Sequence, residues 1–522
     1  LGDVYKRQEH TSAPNKQTSA ALTGQTWVVD SQTDWEAAVA DQSNLEFKDG
    51  QATPTASLAT FRSTLKTFED KHSARSLVID QSPVWHNWEA TKITLPNMAN
   101  APIALSCGPN DYWLFGNLRT FANMQKLRDR QRVAFERRNP GVAFDPEYDF
   151  ENFVPQSAML EGYDVPLATT PYPNQYALES LQMHQIERLS GYHGWHSRDM
   201  VNWVYYGLVS KGAMSTTAEF VDGKLYLYYD RPNDRDPHLF IDHDMRDGQS
   251  GKDMGMAFDA PWGGSDIAVI RDLNGTFHMI SENWDPIDAS KRSWDSPLAT
   301  HAVSEDGIKD FKVIGHAVDH RTKPTGRKAT FEHPHWPKGE NVVQYEVHEP
   351  EQDAYGDWAA IAIGPQYYLF GDFDPAGAHG ARHMSVTWFT SSDINKPFTR
   401  CGTIGSGHPD PDIMFAEGRF YLVTQTQNDF VSPGPWVETV EARVGVDTDK
   451  DGKIDQWTDW TEVKESYDYI KGFSKQVAKT LAKMELSSLP AGYGFQFEVK
   501  ISDSTENDSK PQLDKVSLTF SD

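Results

Sequence analysis

Four stretches of the chain repeat one order of apolar and polar positions: "STTAEFVDGKLYLYYD" (215–230), "GSDIAVIRDLNGTFHMI" (264–280), "GDWAAIAIGPQYYLFGD" (356–372) and "HPDPDIMFAEGRFYLVT" (408–424). Each opens on small or acidic residues, runs through a short apolar stretch, turns at a glycine and continues through an aromatic-rich run. That order predicts strand, tight turn, strand. A degenerate fifth copy is "LPNMANAPIALSCGPNDYWLFG" (95–116). Copies roughly 45–90 residues apart predict one four-stranded blade each, so the expected fold is all-β: a five-bladed β-propeller over 97–445. The first strand of a blade lines the central channel, which brings the opening acids to one funnel.

The flanks read differently. Residues 24–96 mix strand-like pieces, and "GFQFEVKISDSTENDSKPQLDKVSLTF" (494–520) alternates as two strands around a polar loop. Together with the rest of 446–522 they predict an accessory β-sandwich built from the N- and C-terminal segments. Residues 1–23 are polar and show no signal-peptide apolar core, and are read as disordered or truncated. Residues 121–190 interrupt the first blade: Met124, Leu127 and Val133 have helical spacing up to Pro140, and a Pro- and Tyr-rich stretch follows. This predicts an insertion serving as a lid or rim. The chain re-enters the blade at "GWHSRDMVNWVYYGLV" (194–209), whose Trp195 and Trp203 are expected between blades.

One local motif predicts a metal. "VDTDKDGKIDQW" (446–457) places Asp447, Asp449, Asp451 and Asp455 at positions 1, 3, 5 and 9 of an EF-hand-like loop, with Gly452 at the sharp turn. Alternate acids around a forced turn surround one hard cation, so structural calcium is expected. Thr458 stands where an EF-hand has its Glu, so one ligand must come from elsewhere.

Composition narrows the partners. The formal charge is −26, from 49 Lys and Arg against 75 Asp and Glu, which argues against nucleic acid and anionic membrane. No apolar run is long enough for a membrane span. Cys107 and Cys401 are the two cysteines, which excludes a disulfide framework and favours two free thiols. The 16 Trp, 20 Tyr and 26 Phe suit β-structure and also stacking on sugar rings. The expected partner is an oligosaccharide, with an oligomer left open, in a periplasmic or extracellular setting.

Further candidate chemistry lies in two clusters. "YYDRPNDRDPHLFIDHDMRDG" (228–248) offers Asp230, Asp234, Asp236, His238, Asp242 and His243 to a second metal in the channel or to hydroxyl groups. "TFEHPHW" (330–336) puts His333 and His335 on one strand face beside Trp336, for sugar contact. Arg271, Arg321 and Arg382 are candidates for an anionic substituent.

These phrases resemble the five-bladed glycoside hydrolases, families 43 and 32 in outline and family 117 more closely, over about residues 97–445. "GSDIAVIRDLNG" is similar to the acidic inner strand, "TTAEF" to the phrase carrying Glu219, and "YEVHEPEQDAYGDWAAIAIG" to a His-Glu pair at the family 117 site. The resemblance implies an exo-acting hydrolase that releases a terminal sugar, 3,6-anhydro-galactose, from algal-type oligosaccharides. It implies Asp266 as the orienting acid, and His348 with Glu349 as the proton-delivering pair; His301 is expected close by. Where the family has a basic Asp, this chain has Asn100, and Asp357 is the substitute. A propeller polysaccharide lyase and a non-catalytic carbohydrate-binding propeller remain as alternatives.

Overall fold

A computed structural model describes residues 25–48, 50–82, 85, 89–94, 98–118, 192–210, 214–230, 236–261, 266–283, 295–332, 342–377, 385–404, 410–424, 429–432, 440–502 and 512–521. Among them the chain is β-structure apart from one short helix, Gln32–Ala38, capped by the Ser31 side chain on the Asp34 N–H. The expected insertion at 121–190 lies outside the described residues.

Five antiparallel four-strand runs follow in chain order. Sheet I is Met98–Gly108, Asp111–Leu118, Tyr192–Ser197 and Trp203–Ser210. Sheet II is Met214–Val221, Lys224–Asp230, Pro237–Asp242 and Lys252–Met256. Sheet III is Ala268–Arg271, Phe277–Glu282, Leu298–Ser304 and Lys312–Asp319. Sheet IV begins with Ala354–Ile363, Gln366–Asp374, Ser385–Ser391 and Thr399–Ile404. Sheet V is Asp412–Ala416, Arg419–Val423 and Asp429–Ser432, joined by Glu89–Thr94.

The first strands touch in the order I, II, III, IV, V and back to I, a propeller-like ring. The hydrophobic cores lie between neighbouring sheets. Tyr112 and Leu114 pack towards Met414 and Tyr421 of sheet V, while the alternate residues Trp113 and Phe115 pack towards Leu225 and Leu227 of sheet II. A strand turns successive side chains to opposite faces, and here both faces are covered, so the inner hairpins are apolar at nearly every position. Trp195 and Trp203 fill the seam between sheets I and V, as expected.

The terminal segments interleave. A twelve-stranded assembly combines strands from 26–82 with strands from 440–521 around one core that includes Trp35, Phe61, Phe497 and Phe520. Two pieces depart from the expected division of the chain. Glu89–Thr94, expected with the terminal segments, pairs with Asp429–Ser432 and so supplies sheet V with its outer strand. Ser466–Tyr469 and Gln476–Thr480 leave the terminal assembly and extend sheet IV, Gln476 and Val477 pairing in parallel with Ala362 and Ile363. Neither Cys107 nor Cys401 is in a disulfide, and no helix among the described residues is long and apolar enough to cross a membrane.

Candidate active site

The opening acids of three successive sheets share one backbone geometry. Asp266, Asp357 and Asp410 have φ of 46°, 50° and 51°. This left-handed region is unfavourable for most side chains and tolerated best by Asp and Asn after Gly. In each case the backbone N–H is taken by an acid near the end of the second strand of the preceding sheet: Asp230 Oδ2 receives Asp266 N–H at 3.4 Å, Glu282 Oε1 receives Asp357 N–H at 3.2 Å, and Asp372 Oδ1 receives Asp410 N–H at 2.8 Å. One clasp therefore repeats from II to III, III to IV and IV to V. It turns the left-handed aspartates out at the same end of the ring.

The result is a convergence of carboxylates. One oxygen each from Asp266, Glu282 and Asp357 lie within 4.8 Å of one another, and so do oxygens from Asp357, Asp372 and Asp410. Asp357 belongs to both groups. Burial pushes its carboxyl well above the usual range, and the charges of Asp266, Asp410, Asp372 and Glu282 push it further. Gly356 makes the close approach feasible: a Cβ there would collide with Glu282 Oε1 and come within 2.9 Å of the buried Asp295 Oδ1. A carboxyl kept protonated beside ionised carboxylates is suited to giving a proton to a leaving oxygen. Oxygens so clustered could also hold a divalent cation.

Asp266 and Asp357 thus meet as the sequence predicts. The other expected members do not join them. His348 and Glu349 belong to a two-stranded hairpin, Lys323–Glu332 with Val342–Glu349, and make their contacts within it: His348 Nδ1 bonds to Thr322 O at 2.8 Å and Glu349 pairs with Arg327. His301 is buried against His278, Nε2 to Nδ1 2.9 Å, and burial followed by the His278 charge holds it down at about 3. Glu219 and Arg271 lie towards the hairpin-turn end of the inner strands. Arg271 stands five positions after Asp266, about 16 Å along a strand. Glu219 is fully buried with Oε1 accepting from Ser474 Oγ at 2.6 Å, and Arg271 donates to Gly472 O at 3.2 Å. Neither is open to a sugar at the acidic end, because inner-strand residues at the turn face the opposite mouth. Asn100 lies in the strand Met98–Gly108; its side chain, and His333, His335 and Trp336, lie outside the described residues.

The sequence reading assigned no role to Glu282 and Asp372. Their signal was present: two of the hairpin phrases end on an acid, in "LYLYYD" and "YYLFGD", and "FHMISE" carries one two residues past the end of a third.

The C-terminal acidic loop is compact. Oxygens of Asp447, Asp449 and Asp455 lie within 4.8 Å of one another. Asp447 is buried and accepts the N–H groups of Lys450 at 2.7 Å and Gly452 at 2.9 Å. Asp451 stands apart from this group and faces Lys453 at 3.6 Å.

No family model matches the chain, and no curated protein matches it. Among solved structures it is similar to a thermostable family-43 glycoside hydrolase, at 10% identity over 66% of this chain and 91% of that one, TM-score 0.36. It is similar to an endo-arabinase from Bacteroides thetaiotaomicron, at 9% identity over 65% and 95%, TM-score 0.35. A family-43 β-1,3-galactosidase gives 8% identity over 75% and 76%, TM-score 0.35. Likeness at this level says nothing about the chemistry.

Proposed function

We propose that this protein is a glycoside hydrolase with a five-bladed propeller ring, and that Asp357 is its proton donor. The observation that carries the reading is the raised Asp357 carboxyl between two groups of acids. Glycosidic cleavage needs one carboxylic acid that stays protonated and one carboxylate that stays ionised across the bond. Asp357 supplies the first. Asp266 and Asp410, one from each group, are the candidates for the second. Asp230, Glu282 and Asp372 orient all three through their backbone N–H groups.

The finer reading is an exported, exo-acting enzyme that removes a terminal sugar, 3,6-anhydro-galactose, from algal-type oligosaccharides. It rests on the sequence phrases that resemble family 117. In this reading Asp357 takes over the task that the resemblance assigns to His348. Calcium in the 447–455 loop is a separate structural proposal. It is supported by the gathered oxygens of Asp447, Asp449 and Asp455 and by Gly452 at φ 83°.

The test is a panel of algal, arabino-, xylo- and galacto-oligosaccharides with reducing-end detection. The wild type should release a monosaccharide, and Asp357→Asn should lose at least about 10²-fold in kcat/KM. Release at the wild-type rate by the variant would remove Asp357 from the mechanism. Binding without turnover by the wild type would favour the carbohydrate-binding alternative.

A further inference from the structure

One short segment from the C-terminal part of the chain touches all five sheets at the turn end of the ring. Tyr469 Oη meets Tyr112 Oη of sheet I at 2.7 Å and accepts the Glu417 N–H of sheet V at 3.2 Å. Ser474 Oγ accepts the Phe220 N–H of sheet II at 3.1 Å and donates to Glu219. Gln476 Nε2 donates to Arg271 O of sheet III at 2.8 Å, and Phe473 lies under the Arg271 guanidinium at 4.9 Å. Lys475 O accepts the Ala362 N–H of sheet IV at 2.9 Å.

The Lys475 side chain enters the ring. It is 2% exposed, and its ammonium donates to Thr217 Oγ1 at 2.7 Å and to Val269 O at 2.8 Å, on the inner strands of sheets II and III. Two buried acids look towards it, Glu219 from sheet II and Asp412 from sheet V. Burial lifts Glu219 to about 7 and Asp412 to about 6, and the Lys475 charge is the strongest influence drawing each back down. Glu219 Oε2 has no hydrogen-bond partner among the described residues. Arg271, Cys107 and Tyr228 are further titratable groups around Glu219 among the described residues. Asp412 Oδ2 in turn accepts the Ala104 N–H at 2.8 Å, one of the bonds that join the last sheet to the first.

We infer that 466–477 is an axial stopper seated in the ring, and that the Lys475 ammonium is the fixed cation pinning the five sheets and the terminal assembly into one cooperative unit. An apolar residue would take the buried donor away from Thr217 Oγ1 and Val269 O and remove the charge that draws Glu219 and Asp412 down. Leaving buried polar groups without a partner costs their desolvation, far more than losing a surface pair. The stopper bonds to all five sheets, so ring and terminal assembly should lose structure together.

The experiment uses the full chain with Lys475→Met, which keeps the length of the stem and removes the charge. Calorimetry and hydrogen exchange are read together. The melting temperature should fall by about 5 °C. Peptides of the inner strands and of the terminal assembly should lose protection together in the wild type and at different denaturant concentrations in the variant. A Met variant that melts with the wild type in one step would overturn the inference. Lys475→Ala gives the second arm: ethylammonium should restore melting temperature where ethanol at equal concentration does not, and equal effects of the two would reduce Lys475 to packing. Should both Lys475 variants fail to fold, Thr217→Val carries the test, because it removes the hydroxyl that accepts from the ammonium while keeping the shape of the side chain; a smaller fall in melting temperature is expected, and no change, or a rise, would overturn the inference.

Discussion

Replacing Asp357 by Asn should stabilise the fold while removing the proposed activity. Asn tolerates the left-handed backbone nearly as well as Asp, so φ of 50° is no obstacle. The change deletes one carboxyl from two groups of acids whose oxygens lie within 4.8 Å of one another. At an effective dielectric of about 20, two full charges at that separation repel by roughly 3.5 kcal/mol. Part of this is already relieved because Asp357 holds its proton, so the expected net gain is about 1–3 kcal/mol. The sign with pH follows from the raised carboxyl. At low pH the group is protonated in both folded and unfolded chains, and wild type and variant differ little. As pH rises past the ordinary carboxylate range, the unfolded wild type gains by ionising and the folded one does not. The variant's advantage should therefore appear above about pH 4 and grow towards neutrality. Urea unfolding of both proteins at pH 4 and pH 8 reads it directly. A variant less stable than wild type at pH 8 would refute the repulsion argument, and would be the signature of a cation held by these acids.

Three further outcomes are expected. Glu219 and Glu465 are raised to about 7 and Asp242, Asp412 and Asp514 to about 6, in every case first by burial; stability contributed by their protonated forms is lost as pH climbs from the ordinary carboxylate range to about 7, so the stability of Asp514→Asn relative to wild type should grow over that interval, and a relative stability that falls would contradict it. Gly356→Ala should cost about 1–3 kcal/mol by driving a methyl into Glu282 and Asp295, and should lower turnover with it; unchanged melting and kinetics would show that the clasp does not need this approach. Calcium at about 100-fold excess over its dissociation constant should add roughly 2.7 kcal/mol to stability, an increment lost in Asp449→Ala and kept in Asp451→Ala, as thermal shifts with and without chelator would reveal.

Much of the architecture was legible because its determinants are local. The hairpin phrases carry strand, turn and strand within about sixteen residues, so the inner strands and their opening acids Asp266 and Asp357 could be read directly. The acidic loop was readable for the same reason: Asp447, Asp449 and Asp455 lie within one turn-rich stretch, and the backbone that bends them together is their own. His348 and Glu349 in "YEVHEPEQDAYGDW" were less legible: they lie on a strand paired with Lys323–Glu332, and their contacts, Thr322 and Arg327, stand more than twenty positions away.

What the sequence determined by itself is the period: alternating apolar runs, turns at glycine and an acid at the head of the inner strand, all set by neighbours in the chain. Only the tertiary structure decided which acids face which. Glu282 reaches Asp357 across 75 positions, and Lys475 reaches Val269 across 206 and Thr217 across 258. No local propensity encodes such pairings. They arise when sheets close into a ring: closure forces second-strand acids against the next sheet's first residue, and it leaves one axial space that a distant lysine fills.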